Sequence, residues 1–494
     1  MSVGVVGAGT MGRGIAQVCA TAGYEVVMFD AVSGVAQDGF DFIQKILARS
    51  VEKGWITEAE VATALGRITL ANSLEDMAGC GIVLEATAEN SEIKKDLFCQ
   101  LDKIVSDITV LATNTSSLSV TEIAAATRLP NRVVGLHFFN PPPLMALVEL
   151  IYTLKNESQF IDNVEEFVKK IGKTPIRVKD TPGFIVNHIG RALVTESFAI
   201  LGEGVAEPAD IDRVLRDSAG FKMGPFELLD LTGLDISHPV TEQIFEQFYN
   251  DPFYRPSEIA EARVAGGVTG RKTGAGFYSY NDGKADTPAE PKPPSILKVP
   301  SVWIDPSASD DLKTVLTDAG ANLVEKSKAD VCIVTPIGCD ATTASVKLGL
   351  DAKCTVAVDE ITGFSKRRTI MTTPVTDKSA RDAVWGLLAA DGTPVTAITD
   401  SAGFISQRVI AMVVNLGCQV AAKGIAAPAD IDTAVKLGLN YPYGSLEWGD
   451  HLGAAIIVQI LDGLFDFTHD SRYRASPWLR RRALLGVSLL TPNA

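Results

Sequence analysis

Residues 3–12, V-G-V-V-G-A-G-T-M-G, decide the fold of the N-terminal part of this chain. Val3 to Val6 is predicted to form a short buried strand, and the residues from Thr10 to about Thr21 are predicted to form a helix. The pattern G-x-G-x-x-G between a strand and a helix is typical of a Rossmann dinucleotide-binding domain, because it lets a pyrophosphate approach the N–H groups of the helix N-terminus. A glycine-rich turn without a ligand is the alternative interpretation.

The same motif predicts which dinucleotide is bound. The residues of the turn expected to contact it are Gly7, Gly9, Thr10, Met11 and Gly12. A second apolar strand, Tyr24 to Phe29, ends at Asp30. A carboxylate at this position accepts a hydrogen bond from the ribose 2′-hydroxyl and repels a 2′-phosphate, so the sequence predicts NAD rather than NADP.

A second informative stretch is residues 133–151, V-V-G-L-H-F-F-N-P-P-P-L-M-A-L-V-E-L-I. It begins as a buried strand that carries His137, is broken by Asn140 and three prolines, and continues as an apolar segment that carries Glu149. If the two segments lie side by side, Glu149 can hold His137 in one tautomer and stabilise its protonated form, as general base catalysis requires. A core histidine with a glutamate at the rim is the alternative interpretation.

Composition excludes several classes of protein. The chain has 494 residues and a net charge of −15, which argues against general nucleic-acid binding. Its seven cysteines show no C-x-x-C spacing, and its start has no basic segment of the kind that opens a signal peptide. The apolar window from Ile405 to Ala422 is interrupted by Gln407, Arg408 and Asn415, so no membrane span is predicted. We therefore expect a cytoplasmic protein, and since the five histidines lack metal-site spacing, we expect no metal.

Polar residues follow a third predicted strand, Val110 to Thr113. Ser116 and Ser117 would lie on the ligand side of a doubly wound sheet, where parallel strands end. The alternative is that these serines cap a helix that begins near Val120. Asn187, in the first turns of a later helix, could cap that helix or face the crevice, and periodicity alone favours the cap.

Gly403-Phe404-Ile405 matches Gly183-Phe184-Ile185 at an offset of 220 residues. This match indicates that the second half of the chain repeats the helical part of the first half. The predicted fold is an α/β Rossmann domain plus an all-α domain, followed by a degenerate α/β domain without G-x-G-x-x-G and a second all-α copy. The predicted boundaries are 1–180 for the Rossmann domain, 181–282 for the first all-α domain, 283–297 for a linker, 298–400 for the degenerate Rossmann-like domain and 401–494 for the second all-α copy.

In these motifs the chain up to about residue 282 resembles the 3-hydroxyacyl-CoA dehydrogenase family. The motifs are G-A-G-T-M-G, A-E-N-S-E-I-K-K, N-T-S-S-L, L-H-F-F-N-P, L-V-E-L-I, D-T-P-G-F-I-V-N, M-G-P-F-E-L-L-D and K-T-G-A-G-F-Y. The duplicated second half makes the chain similar to the long bacterial 3-hydroxyadipyl-CoA and 3-hydroxybutyryl-CoA dehydrogenases of phenylacetate catabolism. The resemblance implies NAD-dependent oxidation of (S)-3-hydroxyacyl-CoA to 3-oxoacyl-CoA, in the breakdown of fatty acids or aromatic acids.

The resemblance also implies a role for each matching residue. His137 would be the general base and Glu149 would orient it, while Ser116 and Asn187 would hydrogen-bond the reacting oxygen and the thioester. The residues implied at the cofactor are Glu89, Lys94, Asn140 and Lys272. Lys53 falls where the family has a lysine near the CoA phosphates, but Ile46 stands where the family has a nearby serine.

Two other functions remain open on the sequence. One is a catalytically silent dinucleotide-binding sensor or structural protein, and the other is a dehydrogenase of another 3-hydroxy acid. The acyl chain length, and whether the substrate carries a terminal carboxylate, are also open. The second all-α copy is predicted to pack on the first as an intrachain pseudo-dimer that replaces a partner subunit, with a homodimer left open. The degenerate domain is predicted to have no catalytic role.

Overall fold

The computed structural model describes residues 2–295 and 299–493. By the density of its internal contacts the chain divides into two compact units. The first unit contains the residues up to His188 together with Lys423–Leu439, and the second contains Ile189–Ala422 together with the residues from Asn440 onward. Four of the predicted domain boundaries, at residues 1, 297, 298 and 494, lie outside the described residues.

The first unit is built on an eight-stranded sheet. Its strands are β1 Ser2–Val6, β2 Glu25–Phe29, β3 Ile68–Leu70, β4 Ile82–Glu85, β5 Val110–Thr113, β6 Val133–Phe138, β7 Leu147–Tyr152 and β8 Thr174–Lys179. Their order is β3-β2-β1-β4-β5-β6-β7-β8, in which β1 to β6 are parallel, β7 is antiparallel to β6, and β8 is parallel to β7. The predicted Rossmann fold is therefore present, with β6 and β7 side by side.

Helices connect and cover these strands. In the first half of the chain they are α1 Thr10–Thr21, α2 Val35–Glu52, α3 Glu58–Gly66, α4 Ser91–Ile104, α5 Val120–Ala125, α6 Ser158–Lys170, α7 Val186–Gly202, α8 Pro208–Arg213, α9 Pro225–Thr232, α10 Leu234–Gln247 and α11 Glu258–Ala265. In the second half they are α12 Asp310–Asp318, α13 Ala341–Lys347, α14 Lys378–Leu388, α15 Ile405–Ala422, α16 Pro428–Leu439, α17 Ser445–Leu452, α18 Ala454–Thr468 and α19 Pro477–Leu485.

A short hairpin lies where the sequence predicts the end of the all-α domain and an exposed linker. Its strands are β9 Ser279–Asn281 and β10 Lys284–Asp286. Asp282 and Gly283 both have positive φ values, 50° and 74°, as a two-residue hairpin turn requires. The exposed linker predicted from residue 283 therefore begins inside this hairpin: residues 284–286 are exposed, and they pair with β9 because Asp282 and Gly283 form the turn.

The second unit contains a six-stranded sheet. Its strands are β11 Ser301–Ile304, β12 Asn322–Leu323, β13 Val331–Val334, β14 Thr355–Val358, β15 Arg368–Thr372 and β16 Val395–Ile398, in the order β12-β11-β13-β14-β15-β16. Apolar runs near Cys332 to Thr335 and at Val356 to Val358 predict two of these strands, β13 and β14. Strand β15 was not predicted, because it begins with Arg368 and therefore lacks the pattern of an apolar strand. The Arg368 guanidinium is nevertheless buried and paired with Asp391.

Helix α15 is long and apolar enough to cross a membrane by length and composition, but 89% of that window is buried inside the protein. The bent pair α17 and α18 passes the same test only when both helices are counted together. The polar residues of α15 are satisfied inside the second unit, since Asn415 donates to the Arg474 carbonyl and Gln407 to the Pro336 carbonyl. Helix α15 is therefore packed as a core helix.

Within the second unit, residues of the first helical copy contact their counterparts in the second copy. The rings of Phe221 and Tyr441, which are 220 positions apart, have centroids 4.8 Å apart. Two ion pairs are reciprocal: Arg255 binds Asp470 at 3.1 Å, and Arg474 binds Asp251 at 2.7 Å. Contacts that repeat with the two partners exchanged are typical of an isologous interface.

A buried ion network adds to these contacts in the second unit. Arg408, which is 1% exposed, donates to Glu196 of the first copy at 2.7 Å and also binds Glu203. Arg472 of the second copy binds the other Glu196 oxygen at 2.9 Å, and the Tyr473 hydroxyl donates to Glu196 at 3.1 Å. Each buried charge therefore has an opposite charge beside it, which burial requires.

We expect Arg408→Leu to lower the free energy of unfolding by about 1–3 kcal/mol, because Glu196 would stay buried and lose one of its two arginine partners while keeping Arg472. The measurement is urea unfolding followed by circular dichroism. Arg480→Leu is the matched control, since Arg480 and Asp462 form a surface pair and such pairs contribute about 0–1 kcal/mol. Equal, small losses for both variants would contradict the importance of the buried network.

Candidate active site

The turn between β1 and α1 has the geometry of a phosphate site. Gly7 has φ +97°, and a Cβ there would lie 2.6 Å from the Ala86 carbonyl oxygen, so only glycine fits. A Cβ on Gly12 would lie 1.6 Å from the Gly7 carbonyl oxygen. Beside Gly9, in contrast, a Cβ would meet nothing within 4 Å. Helix α1 begins at Thr10 and Met11 with no side-chain cap and no acid in its first turn. Open space beside uncapped helix N–H groups fits the pyrophosphate of a dinucleotide.

Asp30 lies at the end of β2, next to this turn. Its carboxylate accepts hydrogen bonds from the Ala8 N–H at 2.8 Å and from the Val32 N–H at 2.9 Å. These bonds fix the carboxylate at the position where the ribose of a bound dinucleotide is read in Rossmann domains. The geometry therefore fits the predicted preference for NAD.

The degenerate α/β region is built differently at the corresponding place. Helix α12 follows β11 as α1 follows β1, but its N-cap Ser309 accepts from the Leu312 N–H, and Asp310 and Asp311 occupy its first turn. The Glu360 carboxylate also accepts from the Ser309 N–H at 3.0 Å. Carboxylates and a hydroxyl already occupy this helix end, so it does not fit a pyrophosphate.

Glu89 connects the ends of β4 and β5. Its Oε1 accepts hydrogen bonds from the hydroxyls of Thr115, Ser116 and Ser117 and from the N–H groups of Ser116 and Ser117. Burial tends to raise the pKa of Glu89, but the Lys94 charge and these hydrogen bonds outweigh burial and hold the pKa below its usual value. The anionic carboxylate of Glu89 therefore orders the loop that contains Ser116.

Lys94 is 1% exposed, and its Nζ lies 2.6 Å from Glu85 and 3.4 Å from Glu89. It thus contacts the predicted cofactor residue Glu89 from inside the protein. Its contacts with two carboxylates show how the structure holds a buried lysine as a cation.

His137 and Glu149 face each other across β6 and β7, where the antiparallel register pairs them directly. The His137 Nδ1 lies 2.7 Å from Glu149 Oε2. Glu149 is fully buried and His137 is 6% exposed, with the rings of Phe139 and Phe184 beside the imidazole. The structure therefore brings the imidazole and the carboxylate together as a hydrogen-bonded pair, and the rim position considered for Glu149 was wrong.

A left-handed turn supplies the remaining partners of Glu149. Gly183 and Phe184 have φ values of +71° and +50°, and the turn directs the N–H groups of Ile185 and Val186 to Glu149 Oε1 at 2.9 and 3.0 Å. Positive φ is uncommon for a bulky residue such as phenylalanine and is often found at functional sites. Sequence reasoning noted this D-T-P-G-F run but did not predict that it would bind the carboxylate.

The same turn brings Asn187 to the loop after β5. The Asn187 Nδ2 donates to the Ser116 carbonyl at 3.3 Å, so its amide reaches the predicted crevice. The interpretation of Ser116 and Ser117 as helix caps was wrong, because Ser119 caps α5 by accepting from the Glu122 N–H. Ser116 and Asn187, to which the family resemblance assigns the reacting oxygen and the thioester, therefore lie next to each other.

A cleft of about 600 Å³ lies beside the glycine turn and is lined by Thr10, Arg13, Gly14, Gln17, Phe42, Ile46, Arg49, Ser50, Lys53, Trp55, Asn140, Pro141, Pro142, Pro143 and Leu144. Asn140 lines the cleft just before Pro141, Pro142 and Pro143, which form the proline loop. Lys173 supports this loop by donating to the carbonyls of Pro142, Pro143 and Met145, and its burial lowers the pKa of the Lys173 ammonium.

The predicted CoA lysine, Lys53, also lines this cleft. The Lys53 Nζ lies 4.6 Å from the ring centroid of Trp55, and the Arg13 guanidinium lies 3.7 Å from that of Phe42. Ile46 departs from the expected serine, but Ser50 one turn later supplies a hydroxyl to the same cleft. Cations with exposed aromatic rings suit an anionic ligand that carries a purine.

Two observations concern the second unit. Lys272, predicted at the cofactor, forms an ion pair there with Asp235. His238, Glu242 and Glu261 come close enough to hold a metal ion, with the His238 Nε2 3.0 Å from Glu261. Sequence reasoning missed this group because Glu261 lies on another helix, although the i, i+4 spacing of His238 and Glu242 was visible.

Strand register shows what the degenerate region has at the positions of His137 and Glu149. Thr369 occupies the position of Glu149, and Asp359, which follows β14, lies opposite Thr369 as His137 of β6 lies opposite Glu149. Burial raises the pKa of Asp359, which accepts from Ser406 and from the Gln407 amide. Gly403 does not repeat the positive φ of Gly183. A pair of imidazole and carboxylate is therefore absent from these positions in the described sheet of the second unit.

Comparison with known proteins agrees with this geometry. Residues 2–181 match the family model described as 3-hydroxyacyl-CoA dehydrogenase, NAD binding domain, and residues 183–280 and 403–488 match the one described as 3-hydroxyacyl-CoA dehydrogenase, C-terminal domain. The second match confirms the predicted repetition of the all-α domain.

Two similar proteins span nearly the whole chain. A 3-hydroxyadipyl-CoA dehydrogenase of Escherichia coli (strain K12) is 37% identical over 98% of this chain and 98% of that protein. The crystal structure of a 3-hydroxybutyryl-CoA dehydrogenase from Escherichia coli K12 has a TM-score of 0.88 and 36% identity, again over 98% of both chains.

A shorter relative matches the first half alone. A probable 3-hydroxybutyryl-CoA dehydrogenase of Deinococcus radiodurans is 42% identical over 57% of this chain and 100% of that protein. These matches confirm the family resemblance and the NAD-binding domain. The chain therefore belongs to the 3-hydroxyacyl-CoA dehydrogenase family, and it is an NAD-dependent oxidoreductase.

Proposed function

We propose that this protein oxidises (S)-3-hydroxyacyl-CoA to 3-oxoacyl-CoA and that His137 is the general base. The observation that carries the proposal is the His137–Glu149 hydrogen bond of 2.7 Å, which lies in the same unit as the glycine turn and the cationic cleft. A silent dinucleotide-binding protein would have no need to bury a carboxylate against an imidazole, since an unpaired or badly paired buried charge is costly.

The proton step follows from the two ring nitrogens of His137. Because Nδ1 donates to Glu149, Nε2 carries the lone pair and can accept the proton of the substrate 3-hydroxyl. The anionic Glu149, held by two backbone N–H groups, then stabilises the imidazolium that forms. The glycine turn would hold NAD, whose nicotinamide would supply the acceptor for the hydride that leaves C3 of the substrate.

Ser116 and Asn187 are proposed to hydrogen-bond the reacting oxygen and the thioester. The positions of the two residues support this role. The Asn187 amide donates to the Ser116 carbonyl, and the Ser116 N–H and hydroxyl donate to Glu89. Donors fixed before the reaction stabilise charge that develops on an oxygen without reorganising. Glu89, Asn140 and Lys272 remain proposed cofactor residues, together with the buried Lys94 that neighbours Glu89.

The CoA part of the substrate is proposed to bind the cleft of Arg13, Arg49 and Lys53, where the cations suit phosphates and Trp55 suits a base. The names of the full-length relatives point to 3-hydroxyadipyl-CoA or 3-hydroxybutyryl-CoA as substrate. We therefore place the enzyme in the cytoplasmic breakdown of fatty acids or aromatic acids, including phenylacetate.

We further propose that the second half replaces a partner subunit and binds no NAD. The reciprocal pairs of Arg255 with Asp470 and of Arg474 with Asp251 support a pseudo-twofold relation between the helical copies. The acids at the start of α12 support the absence of a second cofactor site. The domain boundaries at 180, 282 and 400 remain a proposal of the same kind.

The cofactor proposal is tested by kcat/KM with NAD and NADP. Wild-type protein should prefer NAD, because the fixed Asp30 carboxylate repels a 2′-phosphate. Asp30→Ala should reduce this preference, and Asp38→Ala, on the nearby surface of α2, serves as the control for a lost charge. A wild-type preference for NADP would contradict the assignment.

The base is tested by His137→Gln, which should lower kcat by roughly 10²–10⁴-fold because no side chain then accepts the hydroxyl proton. NADH binding, followed by fluorescence, should stay near the wild-type value. Glu149→Gln should also lower kcat, since the imidazolium loses its anionic partner. Wild-type turnover by His137→Gln would show that another group is the base.

The silent second half is tested by equilibrium binding of NADH to the full chain. One site per chain is expected. Of the two helix N-termini that follow β1 and β11, that of α1 presents uncapped N–H groups beside open space and that of α12 does not. Isothermal titration calorimetry gives the stoichiometry, and Gly12→Val, which blocks the first turn, should abolish binding altogether. Two sites, or one remaining in Gly12→Val, would refute the proposal.

A further inference from the structure

Helix α16 comes from the repeated second half of the chain but belongs to the first compact unit, where it packs against β7 and β8. Its approach is fixed by the segment before it, since the Lys179 N–H at the end of β8 donates to the Ile425 carbonyl at 2.9 Å. A segment remote in sequence therefore covers the strand that carries Glu149.

Gly438, the penultimate residue of α16, makes the closest approach. A Cβ on Gly438 would lie 2.7 Å from Val186 Cγ2, 2.9 Å from Leu147 Cδ2 and 3.2 Å from Val186 Cγ1. Real Cβ atoms are essentially never found at the shorter of these distances. Leu147 and Val186 are themselves buried, at 0% and 2% exposure, so neither can turn toward solvent to make room.

Both neighbours of Gly438 are tied to the proposed catalytic pair. The Val186 N–H donates to Glu149 Oε1 at 3.0 Å, and Leu147 lies two residues before Glu149 on the same face of β7. Displacement of Val186 would therefore lengthen a hydrogen bond to the carboxylate that holds His137. Charge-assisted bonds of this kind depend on their length and direction.

The repeat offers an internal comparison. The first copy has Ser218 at the position of Gly438, and in the second unit the Ser218 hydroxyl donates to the carbonyl of Arg367, the counterpart of Leu147, at 3.4 Å. In the first copy this stretch, Val214–Ser218, is a π-helical turn, and it accepts a side chain at this position. The glycine is required where the helix meets the strand of Glu149.

We infer that Gly438 is a positioning residue for the reaction: it lets α16 press Val186 against Glu149 and so fixes the orientation of His137. The inference rests on the proposed function of the His137–Glu149 pair. In this way the second half of the chain contributes to the active site of the first half, beyond replacing a partner subunit.

The test is Gly438→Ala in the full-length enzyme. A merely structural role of Gly438 predicts that the crowded Cβ lowers stability while kcat and its pH profile stay unchanged. We expect kcat to fall by roughly 10- to 100-fold, the effect of weakening one hydrogen bond to a charged group. We also expect a displaced acid limb of the pH profile of kcat/KM and an unchanged KM for NAD.

Gly66→Ala is the matched control, because Gly66 ends α3 in the same unit and a Cβ there meets nothing within 4 Å. The double variant Gly438→Ala/Val186→Ala should recover part of the lost kcat, since Val186 loses the two methyl groups that the new Cβ would meet and only the contact with Leu147 remains. Val186→Ala alone is its reference. This double variant also tests the inference if Gly438→Ala folds poorly.

Wild-type kinetics and pH profile in Gly438→Ala, or a loss of kcat that the double variant does not recover even in part, would overturn the inference and leave the proposed function intact. Failure of the proposed function itself would be recognised separately, by full activity of His137→Gln.

Discussion

The arrangement of the first unit depends on a carboxylate that is completely buried. Glu149 can remain an anion inside the protein only if its oxygens are hydrogen-bonded, and three donors meet it: the His137 ring and the N–H groups of Ile185 and Val186. Those donors come from β6 and from the start of α7. A single charge therefore fixes the pairing of β6 with β7 and the path of the chain that leaves β8.

This requirement explains features that would otherwise look unrelated. The left-handed Gly183 and Phe184 aim two N–H groups at one oxygen, and the same turn delivers Asn187 to the loop of Ser116. Glu89 orders that loop from the other side. In the degenerate region Thr369 stands at the position of Glu149, and the buried carboxylate beside it belongs to Asp359. Asp359 accepts from the side chains of Ser406 and Gln407, and Gly403 has no left-handed conformation. The D-x-x-G-F-I sequence survives there, but its catalytic geometry does not.

Local patterns predicted most of the first sheet and the site within it. The glycine turn, Asp30 and the His137 strand could be found because spacing along the chain encodes them directly. The features that were not predicted depend on contacts between segments distant in sequence. Strand β15 begins with a buried arginine, the Asp282-Gly283 hairpin lies in a polar segment, and the approach of α16 to Val186 joins residues some 250 positions apart. None of these leaves a periodic signal in the sequence.

The central claim is that His137, oriented by Glu149, accepts the hydroxyl proton as hydride leaves the substrate. It is tested most directly by single-turnover formation of NADH from 3-hydroxybutyryl-CoA, with the full-length enzyme in excess, as a function of pH. The account predicts that the wild-type rate rises from low pH through one deprotonation and that His137→Gln gives a slow rate without this rise. The same rise in both proteins would contradict the account.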